Sequence, residues 1–164
     1  MRKHIKVEPA RWHYHCDKIG LLVIQDMPCM RNEVVPSPAD YPIFESELER
    51  MINYLRGSTS IVQWVPFNEG WGEYDEVRIT NWTESLDRTR PVNGNSGSNC
   101  CGRDPGVGGI VDDHIYVGPG LTQKPSDTRF AQLGEFGGIG LRVPQHEWQP
   151  GAGFSYEVSV NRHV

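Results

Sequence analysis

Short apolar runs alternate with longer amphipathic stretches along this chain, and the alternation predicts strands and helices in turn. Ile5, Lys6 and Val7 read as a strand that Pro9 closes, because proline has no backbone donor for a ladder. Residues 10–18 read as a helix, with Gly20 suited to a left-handed cap just beyond it. Leu21, Leu22, Val23 and Ile24 form an unbroken apolar run that predicts a buried strand, ending at Gln25, Asp26, Met27 and Pro28. Residues 29–42 read as loop, interrupted by Pro36, Pro38 and Pro42.

Phe44, Leu48, Met51, Ile52 and Leu55 then recur at helical spacing, and Gly57 ends that element. Residues 61–67 predict the next strand, followed by the loop Asn68-Glu69-Gly70-Trp71-Gly72. A helix over 75–86 places Val77, Ile79, Trp82 and Leu86 on its apolar face. A short strand at 91–93, a Gly/Asn/Ser-rich loop at 94–109, and strands at 110–117 and 130–136 complete the pattern. Strand–helix–strand repetition implies parallel pairing with right-handed crossovers, and continuous apolar strands fit a sheet covered on both faces. The fold class is α/β.

Polar residues gather where these strands end: Asp26, Asn68 and Glu69, Asn93, His114 and Tyr116, and Glu135. Both a (β/α) barrel and an open doubly wound sheet place their ligands at that end. No glycine-rich loop follows the first strand, which argues against a dinucleotide cofactor; none is expected.

Composition narrows the classes further. The chain has 164 residues, 37% hydrophobic and 23% charged, enough for one domain with a core. A net charge of −5 with 16 scattered basic residues argues against nucleic acid, whose phosphates need clustered cations. No apolar run approaches the roughly 20 residues that span a bilayer, so no membrane partner is expected. The opening Met1-Arg2-Lys3-His4 lacks the apolar core of a signal peptide, and the expectation is a soluble protein of bacterial cytoplasm or periplasm. Cys16, Cys29, Cys100 and Cys101 have neither CxxC nor zinc-ligand spacing; adjacent cysteines rarely bridge, and all four are expected as free thiols.

Two strand-end glutamates suggest the chemistry. Glycoside hydrolysis needs one carboxyl group that is protonated, to assist the leaving group, and one ionised, to attack the anomeric carbon. Glu69 and Glu135 each end a strand beside glycines, which leave room for a sugar ring. Asn68 can bond a sugar hydroxyl, Trp71 offers a flat apolar face, and Trp64, inside an apolar strand, reads as core. Position alone does not separate such a glutamate from an ordinary surface or capping residue.

Three segments carry a resemblance. Trp64-Val65-Pro66-Phe67-Asn68-Glu69-Gly70-Trp71-Gly72-Glu73-Tyr74-Asp75 resembles the acid/base segment of glycoside hydrolase family 2. Leu133-Gly134-Glu135-Phe136-Gly137-Gly138 resembles its nucleophile segment. Residues 2–9 with Cys16-Asp17-Lys18-Ile19-Gly20-Leu21-Leu22-Val23 resemble its second strand, helix and third strand. The likeness runs in family order over residues 2–148. It implies a (β/α)8 TIM-barrel type fold and hydrolysis of a β-linked carbohydrate by double displacement, with Glu69 as acid/base and Glu135 as nucleophile. It further implies that Arg2 and His4 contact nucleophile and substrate, that Asn68 holds the 2-hydroxyl, that Tyr116 or His114 positions Glu135, and that Asp26 touches the sugar.

A full barrel of this kind takes about 250 residues, and the matched elements supply strands two to seven. The expected organisation is therefore a partial barrel domain over 1–150 and an unassigned tail over 151–164. An open barrel leaves two edges and apolar surface exposed, which favours a homo-oligomer. Rival readings are a catalytically inactive carbohydrate-binding fragment that keeps Trp71 and Asn68, and an ester hydrolase using another nucleophile in the same cleft. No metal is expected: Asp112 and His114 can share a strand face, but no third ligand is evident, while His13 and His15 diverge on a helix. Ser96 lies outside any Gly-x-Ser-x-Gly elbow and reads as polar loop.

Overall fold

A computed structural model describes residues 1–31, 34–118, 120–141, 145–146 and 157–159. The elements run β1 (Arg2–Lys3), α1 (Ala10–Ile19), β2 (Val23–Asp26), α2 (Tyr41–Leu55), β3 (Ile61–Val65), β4 (Phe67–Asn68), α3 (Glu76–Leu86), β5 (Asn95–Ser96), β6 (Ile110–Tyr116), β7 (Phe130–Gly137), β8 (Ile139–Leu141) and β9 (Glu157–Ser159). Among the described residues every strand pair is parallel: β1 with β2, β2 with β3, β4 with β5, β6 with β7, and β8 with β9. A further parallel bridge joins Trp64 to Val92. Within each sheet, strands therefore pair with their neighbours in chain order, and the C-terminal ends of the paired strands point the same way.

The helices form where side-chain pattern and end signals agree. Gly20 takes the left-handed conformation (φ 72°) that ends α1, and its N–H returns to the last turn. Proline is tolerated in a first helical turn, whose N–H groups lack intrahelical partners anyway, and so α2 starts at Tyr41 with Pro42 inside it. This begins α2 three residues earlier than the apolar periodicity predicts. On α3, Ile79 is buried while Val77 is 47% exposed, so Val77 does not supply the core contact expected of it.

Leu48, Met51, Ile52 and Leu55 from α2 pack with Ile79 from α3, Cys16 from α1, and Val23, Ile61, Trp64, Phe67 and Val92 from the sheet. This apolar layer lies between helices and strands. The buried strand residues Gln25, Asn95, Ser96, Asp112 and His114, and Asn93 beside the Val92 bridge, are instead polar, so the strands present an apolar layer to the helices and a polar set toward their ends.

Three strand expectations shift. The first strand is Arg2–Lys3, not residues 5–7: Ile5 has φ 46° and donates its N–H to Asp26 Oδ2 at 3.2 Å, so the chain turns where a strand was expected. The strand expected at 91–93 is reduced to the Val92 bridge, and β5 lies inside the segment read as loop. Gly137 and Gly138, with φ 84° and 75°, divide β7 from β8, whose partner β9 falls within the tail left unassigned. Cys100 and Cys101 are bonded to each other, against the expectation of free thiols; one tight turn, with both N–H groups bonded to Gly97 O, brings the sulfurs together. Cys16 and Cys29 are free.

Asp87 pins the end of α3 to the sheet. Its Oδ2 accepts from Trp64 Nε1 at 3.0 Å and from Arg90 Nη1 at 2.6 Å, and its Oδ1 from Thr89 N–H at 2.9 Å and Thr89 O–H at 2.6 Å. Burial alone would raise this carboxyl, but those donors outweigh it and hold it well below the usual range. A carboxyl lowered on folding adds stability that is full above its unfolded value, about 4, and is lost as pH falls further. Asp87→Ala removes the carboxylate beside the Arg90 cation and the acceptor of the buried Trp64 N–H, while Arg90 keeps only its bonds to Ile61 O, Ser58 O and Thr89 Oγ1, and it should cost about 3–5 kcal/mol at neutral pH. Urea unfolding followed by tryptophan fluorescence checks this. The gap between wild type and variant should narrow as pH drops below about 4, and an equal gap at both pH values would refute the assignment.

Candidate active site

The acid/base candidate sits on an unusual stretch of backbone. Glu69 has φ 51°, a left-handed conformation that costs a non-glycine residue roughly 1–2 kcal/mol. The neighbours hold it there: Glu69 N–H donates to Ser96 O at 2.8 Å, Trp71 N–H to Asn68 O at 2.8 Å, and Gly70 N–H to Asn95 Oδ1 at 3.1 Å. Gly70 (φ 72°) is packed against Gly102, and a Cβ at Gly70 would lie 2.6 Å from the Gly102 Cα. Crowded glycine backbone thus turns the chain at the end of β4 so that the Glu69 carboxylate faces β6.

There it meets His114, whose Nδ1 lies 2.8 Å from Glu69 Oε1. The imidazole is fully buried, while Glu69 keeps 16% of its side chain exposed. Cys100 Sγ lies 3.9 Å from the same oxygen, so the cystine borders Glu69 on its solvent side. Among the described residues, Glu69 Oε2 makes no hydrogen bond.

The second carboxylate, at the end of β7, is surrounded by donors. Arg2 Nη1 donates to Glu135 Oε1 at 2.6 Å, Tyr116 O–H to Oε2, and the Nε2 atoms of His4 and His114 each lie 3.7 Å from Oε1. Burial alone would raise this carboxyl; the Tyr116 hydrogen bond and the charges of His114, Arg2 and His4 outweigh it and hold it below the usual range. Glu135 is therefore built to stay ionised. One oxygen of Glu69, one of Glu135 and a ring nitrogen of His114 all lie within 4.8 Å of one another.

Arg2 binds the strand ends together. Besides Glu135 it contacts Asp26 through Nη2 and Nε, at 2.8 and 3.1 Å, and donates to Asn68 Oδ1 at 2.7 Å. Asp26 is 1% exposed and occupied by Arg2. This differs from the sugar contact expected of it: Asp26 lies behind Arg2 and holds it in place. Asn68 is equally buried, and its Nδ2 has no acceptor among the described residues. His4 is exposed, with its ring 6.2 Å from that of the half-buried Trp71 in an edge contact. The nine residues singled out from sequence thus fall on one cluster, and Trp71 and His4 form its open rim. His114 differs from expectation in direction, since its closest carboxylate is Glu69.

Sequence reasoning set aside Ser96 and left Asp112 without a role. Ser96 Oγ lies 2.6 Å from Asp112 Oδ2 and 2.9 Å from His114 Nε2. The signal for Asp112 was present, since Asp112, His114 and Tyr116 alternate along one strand; Ser96 had none, because its place depends on the fold of the 94–109 segment.

Two clusters have the proximity to hold a metal ion: Glu69, His114 and Glu135, and Glu69, Cys100 and Cys101. In the first, the Arg2 guanidinium already sits on Glu135 Oε1, where a second cation would be repelled. In the second, the sulfurs are bonded to each other and offer no thiolate. The donor sets fit hydrogen bonding better than coordination.

No family model matches the chain. The β-galactosidases of Oenococcus oeni and Lactococcus lactis are 28% identical over 88 residues and 29% identical over 90 residues, about half of this chain. The chain spans less than a tenth of either relative's length, 8% and 9%. A β-D-mannosidase structure from Dictyoglomus thermophilum aligns over 67% of this chain and 15% of its own, with 26% identity and a TM-score of 0.53. A β-glucuronidase from an uncultured Clostridium aligns over 62% of this chain and 20% of its own, at 14% identity and a TM-score of 0.51, and shares the fold. The chain is similar to part of the catalytic domain of family 2-like glycoside hydrolases.

The Tyr116 hydroxyl is the largest of the influences that lower Glu135. Tyr116→Phe should therefore move this carboxyl upward, toward the ordinary range of about 4.3. A carbon-13 NMR titration of the Glu135 carboxyl in both proteins reads the shift directly. An unchanged titration would mean that Arg2 and the histidines alone set it.

Proposed function

We propose that this chain carries the acid/base and nucleophile of a retaining β-glycosidase, at the ends of β4 and β7 in part of a (β/α)8 barrel. The observation that carries the reading is the pair of carboxylates with oxygens inside 4.8 Å, one ringed by cationic and hydroxyl donors and the other facing an imidazole. Retaining enzymes hold their carboxyl groups about 5–5.5 Å apart, whereas inverting enzymes need about 6.5–9.5 Å to admit a water. The donors around Glu135 favour its anion and so favour the nucleophile's role there.

In the first step, Glu69 protonates the glycosidic oxygen as Glu135 attacks the anomeric carbon. The bond to the leaving group breaks and a glycosyl-enzyme ester forms on Glu135. In the second, Glu69 takes a proton from water, the resulting hydroxide displaces Glu135, and the sugar leaves with its anomeric configuration retained. Arg2 and Tyr116 hold Glu135 for in-line attack. Asn68 Nδ2, a buried donor with no acceptor among the described residues, is suited to a sugar hydroxyl, since an unsatisfied donor costs about 1–3 kcal/mol. Trp71 and His4 at the rim suit the apolar face and edge of a pyranose ring.

A panel of aryl β-glycosides tests the reading, with Glu135→Gln and Glu69→Gln as controls. Wild type should release aryl alcohol from at least one sugar, and Glu135→Gln should reduce release by more than 1,000-fold, on the order of the losses seen when a catalytic nucleophile is removed. Binding without turnover would favour the inactive carbohydrate-binding reading. Turnover that survives Glu135→Gln would exclude Glu135 as the nucleophile.

A further inference from the structure

The cystine beside Glu69 takes no part in the two-carboxylate scheme, yet it lies within reach of a carboxylate on which that scheme depends. Cys100 Sγ is 3.9 Å from Glu69 Oε1, and one ligand atom from each of Glu69, Cys100 and Cys101 lies within 4.8 Å of the others. Cys100 is exposed and Cys101 half-buried, so a small reagent in solvent can reach the sulfur bond. Thiol–disulfide exchange needs that access, because a thiolate must attack one of the two sulfurs directly.

The backbone that carries the pair is anchored without help from the sulfur bond. Cys100 N–H and Cys101 N–H both donate to Gly97 O, at 3.1 and 3.2 Å. Asn95 Nδ2 donates to Cys101 O and to Arg103 O, each at 3.1 Å, and Arg103 N–H donates to the Glu73 carboxyl at 3.1 and 3.2 Å. The oxygen of the same Asn95 amide accepts the Gly70 N–H at 3.1 Å, so one side chain ties the cysteine turn to the turn that holds Glu69. Opening the cystine therefore frees two sulfurs while the three residues stay together.

Their spacing suits a thiophilic cation. Zinc takes thiolate sulfur at about 2.3 Å and carboxylate oxygen at about 2.0–2.2 Å in a tetrahedron, which sets a sulfur and an oxygen about 3.5 Å apart and two sulfurs about 3.8 Å apart. The separation of Cys100 Sγ from Glu69 Oε1 is already close to the first value. The sulfurs must part to reach the second, and the exposed side of Cys100 leaves room for that. A carboxylate oxygen has two lone pairs, so Oε1 can ligate an ion and keep its 2.8 Å contact with His114 Nδ1, which orients the ligand from behind. Arg2, whose guanidinium repels a cation from Glu135, makes no bond to Glu69 among the described residues.

We propose that Cys100, Cys101 and Glu69 form a redox-gated site for a thiophilic divalent cation of the zinc and cadmium class, closed as the cystine and open once a dithiol has reduced it. The dithiol passes two electrons and two protons to the sulfur bond and becomes a cyclic disulfide, leaving two cysteine thiols. The cation then displaces both thiol protons to solvent and takes two thiolates, Glu69 Oε1 and a water. Exchange with an external disulfide re-forms the cystine and releases the ion. Soft thiolate ligands select this class over magnesium and calcium, which take oxygen. The consequence for activity rests on the reading of Glu69 as acid/base: a cation on its oxygen lowers the basicity of the carboxylate, which then cannot carry the catalytic proton. The reduced, ion-loaded chain is the inactive form.

Alkylation of the denatured wild-type chain checks the gate first. Two cysteines should react before reduction and all four after it, and four before reduction would overturn the proposal. Cadmium alone then probes the site, in a Cys29→Ser chain so that this half-buried thiol does not compete. Reduced with dithiothreitol and desalted under nitrogen, the chain should bind one cadmium ion with a thiolate-to-cadmium ultraviolet band, and the unreduced chain should show none. Cys100→Ser with Cys101→Ser should abolish the band, and Glu69→Gln should weaken binding about tenfold or more, with each variant folded by circular dichroism. No band after reduction, a band in the double variant, or full affinity in Glu69→Gln would each overturn the site, and none of these readings depends on turnover. With an aryl β-glycoside that wild type cleaves, zinc should inhibit the reduced chain at concentrations that spare the oxidised one, and a chelator should restore it. Equal inhibition of both forms, or of neither, would overturn the link to activity. A chain inert toward every glycoside would sink the acid/base reading alone, with the cation site still decided by the titration.

Discussion

Arg2 is the constraint on which the rest of the site depends. Its guanidinium reaches Asp26 at the end of β2, Asn68 at the end of β4 and Glu135 on β7, and it approaches His114 on β6. Burial by itself would make a cation unwelcome there, but the Asp26 and Glu135 carboxylates more than compensate, and the group stays charged. One planar fork with five N–H donors can satisfy partners arranged around it in a way that a lysine, a point charge on a flexible stem, cannot. Four strand ends are thereby held at fixed spacing by one side chain on β1. The parallel order of the strands makes this possible, because it delivers those ends to one side of the sheet.

Two glutamates with the same covalent chemistry sit in different surroundings. Glu135 has a guanidinium, a phenol and two imidazoles around its oxygens, all of which favour charge. Glu69 has a single imidazole against one oxygen and leaves the other open. Its backbone is held in a left-handed turn by Ser96, Asn95 and the Gly70–Gly102 approach, so the strain at φ 51° is offset by contacts from β5 and the loop beyond it. The Glu69 backbone and the Glu135 carboxylate are thus held by separate groups of residues, the first by the 94–109 segment folded over β4 and the second by Arg2, Tyr116, His4 and His114.

Much of this was legible in the sequence because it is local. The helix ends follow from the Gly20 cap and the Gly57 stop, although α2 starts ahead of its apolar run, and strand ends are marked by the change from apolar runs to Asp26, Asn68-Glu69 and Glu135. The (β/α) order then predicts that those ends converge, and all nine candidate residues do converge. What was not legible is non-local. Ile5 belongs to a turn only because its N–H is drawn to Asp26, 21 positions away. Asp26 reads as a sugar contact until Arg2 is seen to cover it, and Ser96 reads as loop until Asp112, 16 positions on, arrives beside it.

The Gly/Asn/Ser-rich segment shows why composition misled most at the site itself. Glycine, asparagine and serine mark a loop when nothing else is known, since they satisfy their own backbone and tolerate positive φ. Here the same properties are put to use by close approach. Gly97 leaves space that the His114 ring fills, Asn99 bonds that residue's backbone on both sides, Asn95 holds Gly70 and two loop carbonyls, and Gly102 lets two backbones meet. Each residue is ordinary as a turn former and specific only through a partner that the sequence does not place. A segment that looks like connection is therefore the piece that aligns the Glu69 carboxylate with the imidazole beside it, and the cystine at its tip borders the same oxygen that the imidazole holds.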